Sequence, residues 1–336
     1  MKEQEILLKI EDLHVRFETL AGQIHAVRGV DLNIAKGEGL AIVGESGCGK
    51  SVTAQSIVSL IPQPPGEITK GNIYFNGEDL LKKTEKDLQK IRGKNIAMIF
   101  QNPMTALNPV MKIGKQITEV MAKHLSLDKK EAKRRAIELL SLVGISQAEV
   151  RFNEYPHQFS GGMRQRVMIA IALVCRPELV IADEPTTALD VTIQAQILTL
   201  IAKLKKQFNM SLLLITHDLS IISEVCERVV VMYAGKIVEE GKIDEVLENP
   251  QHPYTRGLLR SLPSGNKEHE LNPIEGSPPD LYRPSKGCAF APRCSYAMKI
   301  CEQKQPEVYP LKEGATSACF LQHPQALDQK LMYAKD

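Results

Sequence analysis

A glycine-rich run of eight residues, GESGCGKS at 44–51, carries the clearest chemical signal in the sequence. It stands between an apolar, strand-like stretch at 39–43 and a helix-like stretch at 52–60. Backbone N–H groups in such a turn converge on phosphate oxygens, and the helix N-terminus adds partial positive charge. Lys50 is then expected to reach the β- and γ-phosphates, and Ser51 to ligate Mg²⁺. A turn that merely connects two elements is the plain alternative, but the complete pattern predicts binding of a nucleoside triphosphate. The remaining nucleotide contacts are expected from Gly44, Ser46, Gly47, Cys48, Gly49 and Val52.

Two adjacent carboxylates end the apolar run LVIADEP at 179–185. The carboxyl end of a buried strand is where open α/β sheets hold their ligands. Asp183 is therefore expected to hold Mg²⁺ through water, and Glu184 to polarise the water that attacks the γ-phosphate. The alternative, an acidic strand end that caps the next helix, loses weight beside a phosphate-binding loop. Together the two motifs predict a nucleotide hydrolysis site.

A further phosphate contact is predicted in the segment FSGGMRQ at 159–165. Ser160 is suited to cap a helix N-terminus, and the bare backbone of Gly161 and Gly162 is able to approach an anion. Ser-Gly-Gly by itself also occurs in ordinary loops, so the other motifs give this segment its weight.

The bulk composition is that of an ordinary soluble protein. It argues against binding of nucleic acid and against a membrane-spanning segment. The 336 residues are 43% hydrophobic and 24% charged, which allows a large core and two domains. Lys and Arg number 42 against 40 Asp and Glu, and the net charge of +2 gives no electrostatic footprint for nucleic acid. The longest apolar run, at 167–175, is far below the ~20 residues needed to cross a bilayer. The N-terminus lacks the apolar core of a secretion signal, so we expect a cytoplasmic location.

The apolar patterning predicts the elements that position these motifs. A strand-like region at 7–34 indicates an antiparallel sheet that leads into the phosphate-binding loop. Short apolar runs without polar alternation, at 179–182, 212–215 and 229–233, predict strands buried on both faces of a parallel sheet. The core is therefore predicted to be a doubly wound α/β fold.

Two regions depart from this core pattern. Helical periodicity with dense Lys and Glu after Gln101 predicts a helical subdomain at about 102–175. Past Asn249 the composition shifts to Pro, Gly and charged residues, which predicts a separate module of low regular structure at 251–336.

Six motifs in a fixed order resemble the ATP-hydrolysing subunits of ATP-binding cassette (ABC) transporters, which are P-loop NTPases with a RecA-like core. The match covers about 7–247, and the nucleotide-binding domain is assigned to 1–250. An ordered set of motifs is far more specific than any one of them. The six are the phosphate-binding loop, Gln101 at a strand end, the Ser-Gly-Gly segment, Asp183-Glu184, the triplet ALD at 188–190, and Thr216-His217-Asp218.

The resemblance implies a role for each matched residue. Two such domains face each other head to tail, so that Ser160, Gly161 and Gly162 of one contact the γ-phosphate held by Lys50 of the other. Gln101 is implied to touch Mg²⁺ and the attacking water, His217 to hydrogen-bond the γ-phosphate, and Asp190 to communicate between the two sites.

The residue that stacks on adenine is left open by the sequence. Phe17 matches the family's aromatic position, but the stretch at 18–23 resembles an insertion and makes His25 an alternative. Phe17 is equally well explained as a half-buried strand residue.

Met163 and the C-terminal region resemble dipeptide and oligopeptide importers in particular. The signature FSGGMRQRV at 159–167, HPYT at 252–255, GSPPD at 276–280 and GCAFAPRC at 287–294 are all present. The resemblance implies a second ATPase subunit, identical or homologous, of which this chain resembles the first type. It also implies two transmembrane permease subunits, an extracytoplasmic peptide-binding protein and a place on the cytoplasmic face of the membrane. Importers of nickel or glutathione share this type of subunit, and a soluble, non-transport ABC ATPase is the alternative from another class.

Four of the seven cysteines lie in the C-terminal region, with five, six and seventeen residues between them. Structural zinc sites use closer pairs, and disulfides are disfavoured in a reducing cytoplasm. Wider spacing suits a [4Fe–4S] cluster with Cys₄ ligation, and the resemblance points the same way. Zinc, or thiols that are unliganded or disulfide-linked, are the alternatives, and a cluster could be structural or redox-sensing. The four candidate ligands are Cys288, Cys294, Cys301 and Cys319.

Overall fold

The computed structural model describes residues 5–187, 189–219, 222–261 and 273–326. Ala188, the first residue of the ALD triplet, lies outside the described residues, as does the end of the C-terminal region past Ala326. The strands are β1 (Ile6–Thr19), β2 (Gly22–Ala35), β3 (Gly39–Val43), β4 (Gly66–Phe75), β5 (Glu78–Asp79), β6 (Ile96–Ile99), β7 (Leu179–Asp183), β8 (Ser211–Ile215), β9 (Arg228–Tyr233), β10 (Lys236–Lys242), β11 (Tyr309–Pro310) and β12 (Thr316–Ser317).

The helices lie between these strands along the chain, singly or in groups. They are α1 (Lys50–Ile57), α2 (Glu85–Ile91), α3 (Pro103–Ala106), α4 (Ile113–His124), α5 (Lys129–Leu142), α6 (Ala148–Arg151), α7 (Gly161–Leu173), α8 (Val191–Phe208), α9 (Ile243–Glu248), α10 (Pro253–Arg260) and α11 (Lys299–Gln303). Within the described ranges, no helix has the length and hydropathy that a membrane span requires.

The chain divides into two compact units, of which one comprises Met1–Leu7, Ile34–Gly39 and Phe75–Thr216. Its sheet contains β6, β7 and β8 in parallel, with Ile96 opposite Leu179 and Ala182 opposite Leu214. All five residues of β7 are buried, as expected of a parallel strand that is covered on both faces. Helices α3 to α7 follow β6, so the predicted helical insertion is present.

The other unit comprises Leu8–Asn33, Leu40–Tyr74 and His217–Asp336. Strand β3 pairs in parallel with β9, which pairs antiparallel with β10. Strands β2, β1 and β4 lie side by side in a second sheet. Parallel strands joined through helices confirm the predicted α/β class, and the strands predicted at 179–182, 212–215 and 229–233 are correct to within one residue at each end.

The C-terminal region adds strands of its own to this unit. Strand β12 pairs antiparallel with β10, with Ser317 opposite Glu239, and β11 pairs with β12. Phe290 contacts the rings of Tyr233 on β9 and Tyr254 on α10 at centroid distances of 5.3 and 5.4 Å. These aromatic residues are almost fully buried, so the region packs on the core of its unit.

Candidate functional site

The phosphate-binding loop runs from the end of β3 into α1. Gly44 and Gly49 have φ angles of 151° and 103°, which L side chains rarely adopt. A Cβ on Gly49 would lie 2.5 Å from the carbonyl oxygen of Ala26, so glycine is also required sterically. Helix α1 begins at Lys50, two residues earlier than the sequence predicts, because Gly49 in the left-handed region serves as its N-cap. The loop's last residues thus form the helix N-terminus that favours an anion.

The Lys50 ammonium lies folded over the loop from which it projects. Its Nζ donates to the carbonyl oxygens of Gly44 at 2.8 Å and Glu45 at 2.9 Å, and it contacts the Cys48 sulfur at 3.8 Å. Lys50 is only 5% exposed. The charge is thereby fixed above the loop, where phosphate oxygens would meet it.

Glu184 and Gln101 come together in the other unit. The amide Nε2 of Gln101 donates to Oε2 of Glu184 at 2.8 Å, and the hydroxyl of Thr187 donates to the same oxygen at 2.9 Å. Glu184 has a φ of 44°, an uncommon conformation for a residue other than glycine. Its backbone N–H donates to the carbonyl oxygen of Ile215 on β8 at 2.9 Å. Backbone strain of this kind concentrates at functional sites.

The Ser-Gly-Gly segment begins α7 as predicted, with Ser160 as the N-cap. Asp190 is the N-cap of α8, and its carboxylate accepts from the N–H of Ile193 at 2.9 Å. A Cβ on Gly162 would lie 2.9 Å from the Ile193 side chain, so the two helix starts touch. Ser160 and Gly161 remain exposed, which leaves them available to a partner.

Ser51 and Asp183, the two residues predicted to hold Mg²⁺, each carry an oxygen donor. Ser51 stands in the first turn of α1, and the Asp183 carboxylate at the end of β7 is 5% exposed. A hydroxyl and a carboxylate are hard ligands that suit Mg²⁺. His217 follows β8 and is exposed. Phe17 on β1 and His25 on β2 are both half-buried, and the adenine contact stays a prediction.

Sequence reasoning missed a set of contacts on Glu45, the second residue of the phosphate-binding loop. Arg293 forms a two-pronged ion pair with it, with Nη1–Oε2 and Nη2–Oε1 distances of 2.7 and 3.0 Å. The backbone N–H of Glu45 donates to the Tyr254 hydroxyl at 2.8 Å. Arg293 stands within the GCAFAPRC segment, which was noted for its cysteines and its resemblance to peptide importers, and 248 residues separate Arg293 from Glu45. No periodicity or spacing predicts a contact over that distance.

The four C-terminal cysteines line a single cavity. Burial raises the pKa of the Cys288 thiol and raises the pKa values of Cys294 and Cys319 to about 11 and about 12. None of the seven cysteines, all of which lie within the described residues, forms a disulfide bond. Among the residues that the structure describes, no three His, Cys, Asp or Glu side chains converge closely enough to hold one metal ion.

The backbone N–H of Met298 donates to the Cys301 sulfur at 3.4 Å. Near Cys288, Cys294 and Cys319, backbone N–H groups act to lower the thiol pKa, against the larger effect of burial. Hydrogen bonds of this kind stabilise sulfur that carries negative charge, whether as a thiolate or as a metal ligand.

Family models match two parts of the chain. A model described as ABC transporter matches residues 27–187, and one described as the C-terminal region of oligopeptide and dipeptide transporters matches residues 238–301. The second match ends at Cys301, so it includes three of the four clustered cysteines.

Curated relatives match nearly the full length of the chain. The oligopeptide transport ATP-binding protein OppD of Bacillus subtilis is 56% identical over 95% of this chain and 90% of its own length. The dipeptide transport ATP-binding protein DppD of the same organism is 50% identical over 96% of both chains. The solved dimer of the ATP-binding cassette MJ0796 with ADP and phosphate is 29% identical, with a TM-score of 0.64, and covers 70% of this chain and 99% of that one.

Proposed function

Because the chain belongs to the ABC transporter ATPases of the oligopeptide and dipeptide family, we propose that it binds Mg-ATP and hydrolyses it to power peptide import. The hydrogen bond between Gln101 and Glu184 carries this proposal. This bond places the Glu184 carboxylate, which would act as general base, next to the Gln101 amide, which is suited to orient the attacking water. A bound Mg²⁺ would supply positive charge to offset the negative charge that develops during phosphoryl transfer.

The proposed reaction takes place between two ATPase subunits. Lys50 and the N–H groups of the phosphate-binding loop hold the triphosphate of one subunit, and Ser160 with its two glycines closes on it from the other. The exposed N-cap position of Ser160 supports this role, because backbone N–H groups at a helix start bind anions. His217 contacts the γ-phosphate. Asp190 communicates between the two nucleotide sites of the dimer. ATP therefore brings the subunits together and hydrolysis separates them.

The membrane partners in this proposal are two permease subunits, supplied with peptide by an extracytoplasmic binding protein. Contact with the permeases runs through residues 102–111, on the cytoplasmic face of the membrane. Met104 and Val110 in this segment are 59% and 83% exposed, and two exposed apolar side chains in one short segment fit a surface that a partner covers. Nickel and glutathione remain alternative cargoes, since permeases and binding protein choose the solute.

Phosphate release by the purified chain tests the ATPase proposal. We expect hydrolysis that requires Mg²⁺ and whose specific rate rises with protein concentration, because each site needs Ser160 from a second subunit. A specific rate independent of concentration in a monomeric protein would overturn the shared site, and absence of hydrolysis with the permeases present would overturn the proposed function.

We propose further that Cys288, Cys294, Cys301 and Cys319 hold a [4Fe–4S] cluster. The proposal is supported by the lining of one cavity by all four cysteines and by the N–H of Met298, which donates to the Cys301 sulfur, although the side chains do not converge on a single point. When bound, the cluster supplies cross-links between distant segments and a one-electron redox couple. Backbone contacts bring the cysteine-bearing segments together: the Cys288 N–H donates to the carbonyl oxygen of Cys301 at 2.7 Å. We assign the cluster a structural role, with redox sensing as the alternative.

Metal analysis of protein purified without oxygen checks the cluster. We expect about four irons with matching acid-labile sulfide per chain, and faster proteolysis of residues 273–326 when Cys319 is replaced by Ser. The matched control is Cys175→Ser, because Cys175 is a half-buried thiol outside the cavity. Stoichiometric zinc, or no metal in freshly isolated protein, would contradict the assignment.

A further inference from the structure

Glu45 is the point at which the C-terminal region meets the phosphate-binding loop. Three parts of this one residue are engaged: its carboxylate by Arg293, its N–H by the Tyr254 hydroxyl, and its carbonyl oxygen by Lys50. Lys50 is the residue assigned to the β- and γ-phosphates. The position of Glu45 therefore determines where the Lys50 ammonium is held, and two residues from far along the chain fix that position.

The Arg293 side chain is buried and does not lie on the protein surface. Its side chain is 6% exposed, against 26% for that of Glu45. Besides the two bonds to Glu45, Nη1 donates to the Tyr233 hydroxyl at 3.3 Å, Nη2 to the carbonyl oxygen of Ile274 at 3.2 Å, and Nε to that of Glu275 at 2.9 Å. The five N–H groups of the guanidinium thus each have a partner. A planar, fully bonded fork holds a carboxylate in one orientation, which a lysine cannot do.

The same arginine is covalently adjacent to the cysteine cavity. Arg293 directly precedes Cys294, and Phe290, which lines the cavity, packs on Tyr233 and Tyr254. Displacement of this turn would move the guanidinium and the two aromatic residues together. A rigid set of contacts therefore runs from the sulfurs to the loop that binds phosphate.

We infer that Arg293 and Tyr254 are positioning residues for ATP, which hold Glu45 so that the phosphate-binding loop is preformed and nucleotide affinity depends on the C-terminal region. The inference rests on the proposed function, because it concerns the same nucleotide site. Coupling of this kind is reciprocal, so ATP must stabilise the C-terminal region by the factor that the region contributes to ATP affinity.

A double-mutant cycle on the full-length chain tests this inference. Binding of a fluorescent, non-hydrolysable ATP analogue is titrated for wild type, Arg293→Ala, Glu45→Ala and the double variant. We expect each single substitution to weaken binding about tenfold, in the range of a lost charge-assisted hydrogen bond, and the double variant to be no weaker than either. Effects that multiply in the double variant would show that the two residues act independently and would overturn the inference.

Arg256→Ala is the matched control within the same region. Arg256 also donates to a backbone carbonyl, that of Pro250 at 2.9 Å, and its guanidinium lies 5.9 Å from the Tyr296 ring, but neither contact involves the phosphate-binding loop. We expect Arg256→Ala to bind the analogue like wild type. If it weakens binding as much as Arg293→Ala does, general loosening of the region explains the effect and the specific role of Arg293 is lost.

Hydrogen exchange provides a second readout that still decides the question if Arg293→Ala folds poorly. ATP is expected to slow amide exchange at residues 288–303 in wild type and not in Glu45→Gln, which keeps the side chain's size and removes its charge. Equal protection in both proteins would contradict the coupling. If wild type itself fails to bind the analogue, the proposed function fails first; if it binds and Arg293→Ala binds equally well, only this inference fails.

Discussion

Glu184→Gln is expected to lower ATP turnover by about 100-fold or more, the usual contribution of a general base, while ATP is still bound. The substitution keeps the size of the side chain and one oxygen that accepts from Gln101 and Thr187, so the local structure should persist. It removes the basic carboxylate that activates water. Because ATP then stays intact, the closed dimer should accumulate. Steady-state phosphate release and size-exclusion chromatography with ATP measure the two effects.

The chain offers a matched control for this substitution. Glu178 immediately precedes β7, as Glu184 immediately follows it, and its carboxylate accepts from Asn95 at 2.9 Å and Asn76 at 3.1 Å. Glu178→Gln removes a carboxylate at the opposite end of the same strand and should leave turnover near that of wild type. Near-normal turnover in Glu184→Gln would remove Glu184 from the mechanism.

Lys50→Ala is expected to weaken ATP binding by about 10- to 100-fold, as the loss of charge-assisted hydrogen bonds to phosphate implies. The ammonium that the carbonyl oxygens of Gly44 and Glu45 hold over the loop disappears, and no other side chain in the loop carries positive charge. Isothermal titration with ATP and Mg²⁺ measures the loss, and thermal denaturation without nucleotide checks that the loop still folds.

Lys70→Ala controls for the loss of one positive charge. Lys70 is 67% exposed and pairs with Asp12 on the surface at 2.5 Å, an interaction of little energetic value. Its removal should leave ATP affinity unchanged. If Lys50→Ala bound ATP as tightly as Lys70→Ala does, the assignment of Lys50 to the phosphates would be wrong.

The elements that carry the hydrolysis motifs were predictable because their signals are local. Strand β7 is an unbroken apolar run closed by Asp183, and a run of this kind is buried wherever the chain folds. Ser160 was predictable as an N-cap for the same reason, since its hydroxyl serves the helix that follows it directly. Helix α1 was less well placed: it was predicted to reach residue 60, but it ends at Ile57, and Ser59 has a φ of 50°.

The contacts of Glu45 could not be predicted, because they depend on the path of the chain. Arg293 and Tyr254 reach the phosphate-binding loop because α10 and the GCAFAPRC segment at 287–294 pack on β9 and β10. This packing is tertiary and leaves no local pattern in the sequence. The grouping of the four C-terminal cysteines was anticipated from their positions in the sequence, and they line one cavity. The physical difference is that clustered cysteines are a signal in sequence, whereas one arginine among 42 basic residues is not.

Peptide uptake into proteoliposomes tests the central claim most directly. Vesicles would contain this chain with its ATPase partner and permeases, ATP inside, and a labelled oligopeptide with its binding protein outside. We predict uptake that requires internal ATP and stops with Glu184→Gln, with no accumulation of labelled nickel or glutathione under the same conditions. Sustained ATP hydrolysis without movement of peptide, or uptake of nickel or glutathione instead, would contradict the account.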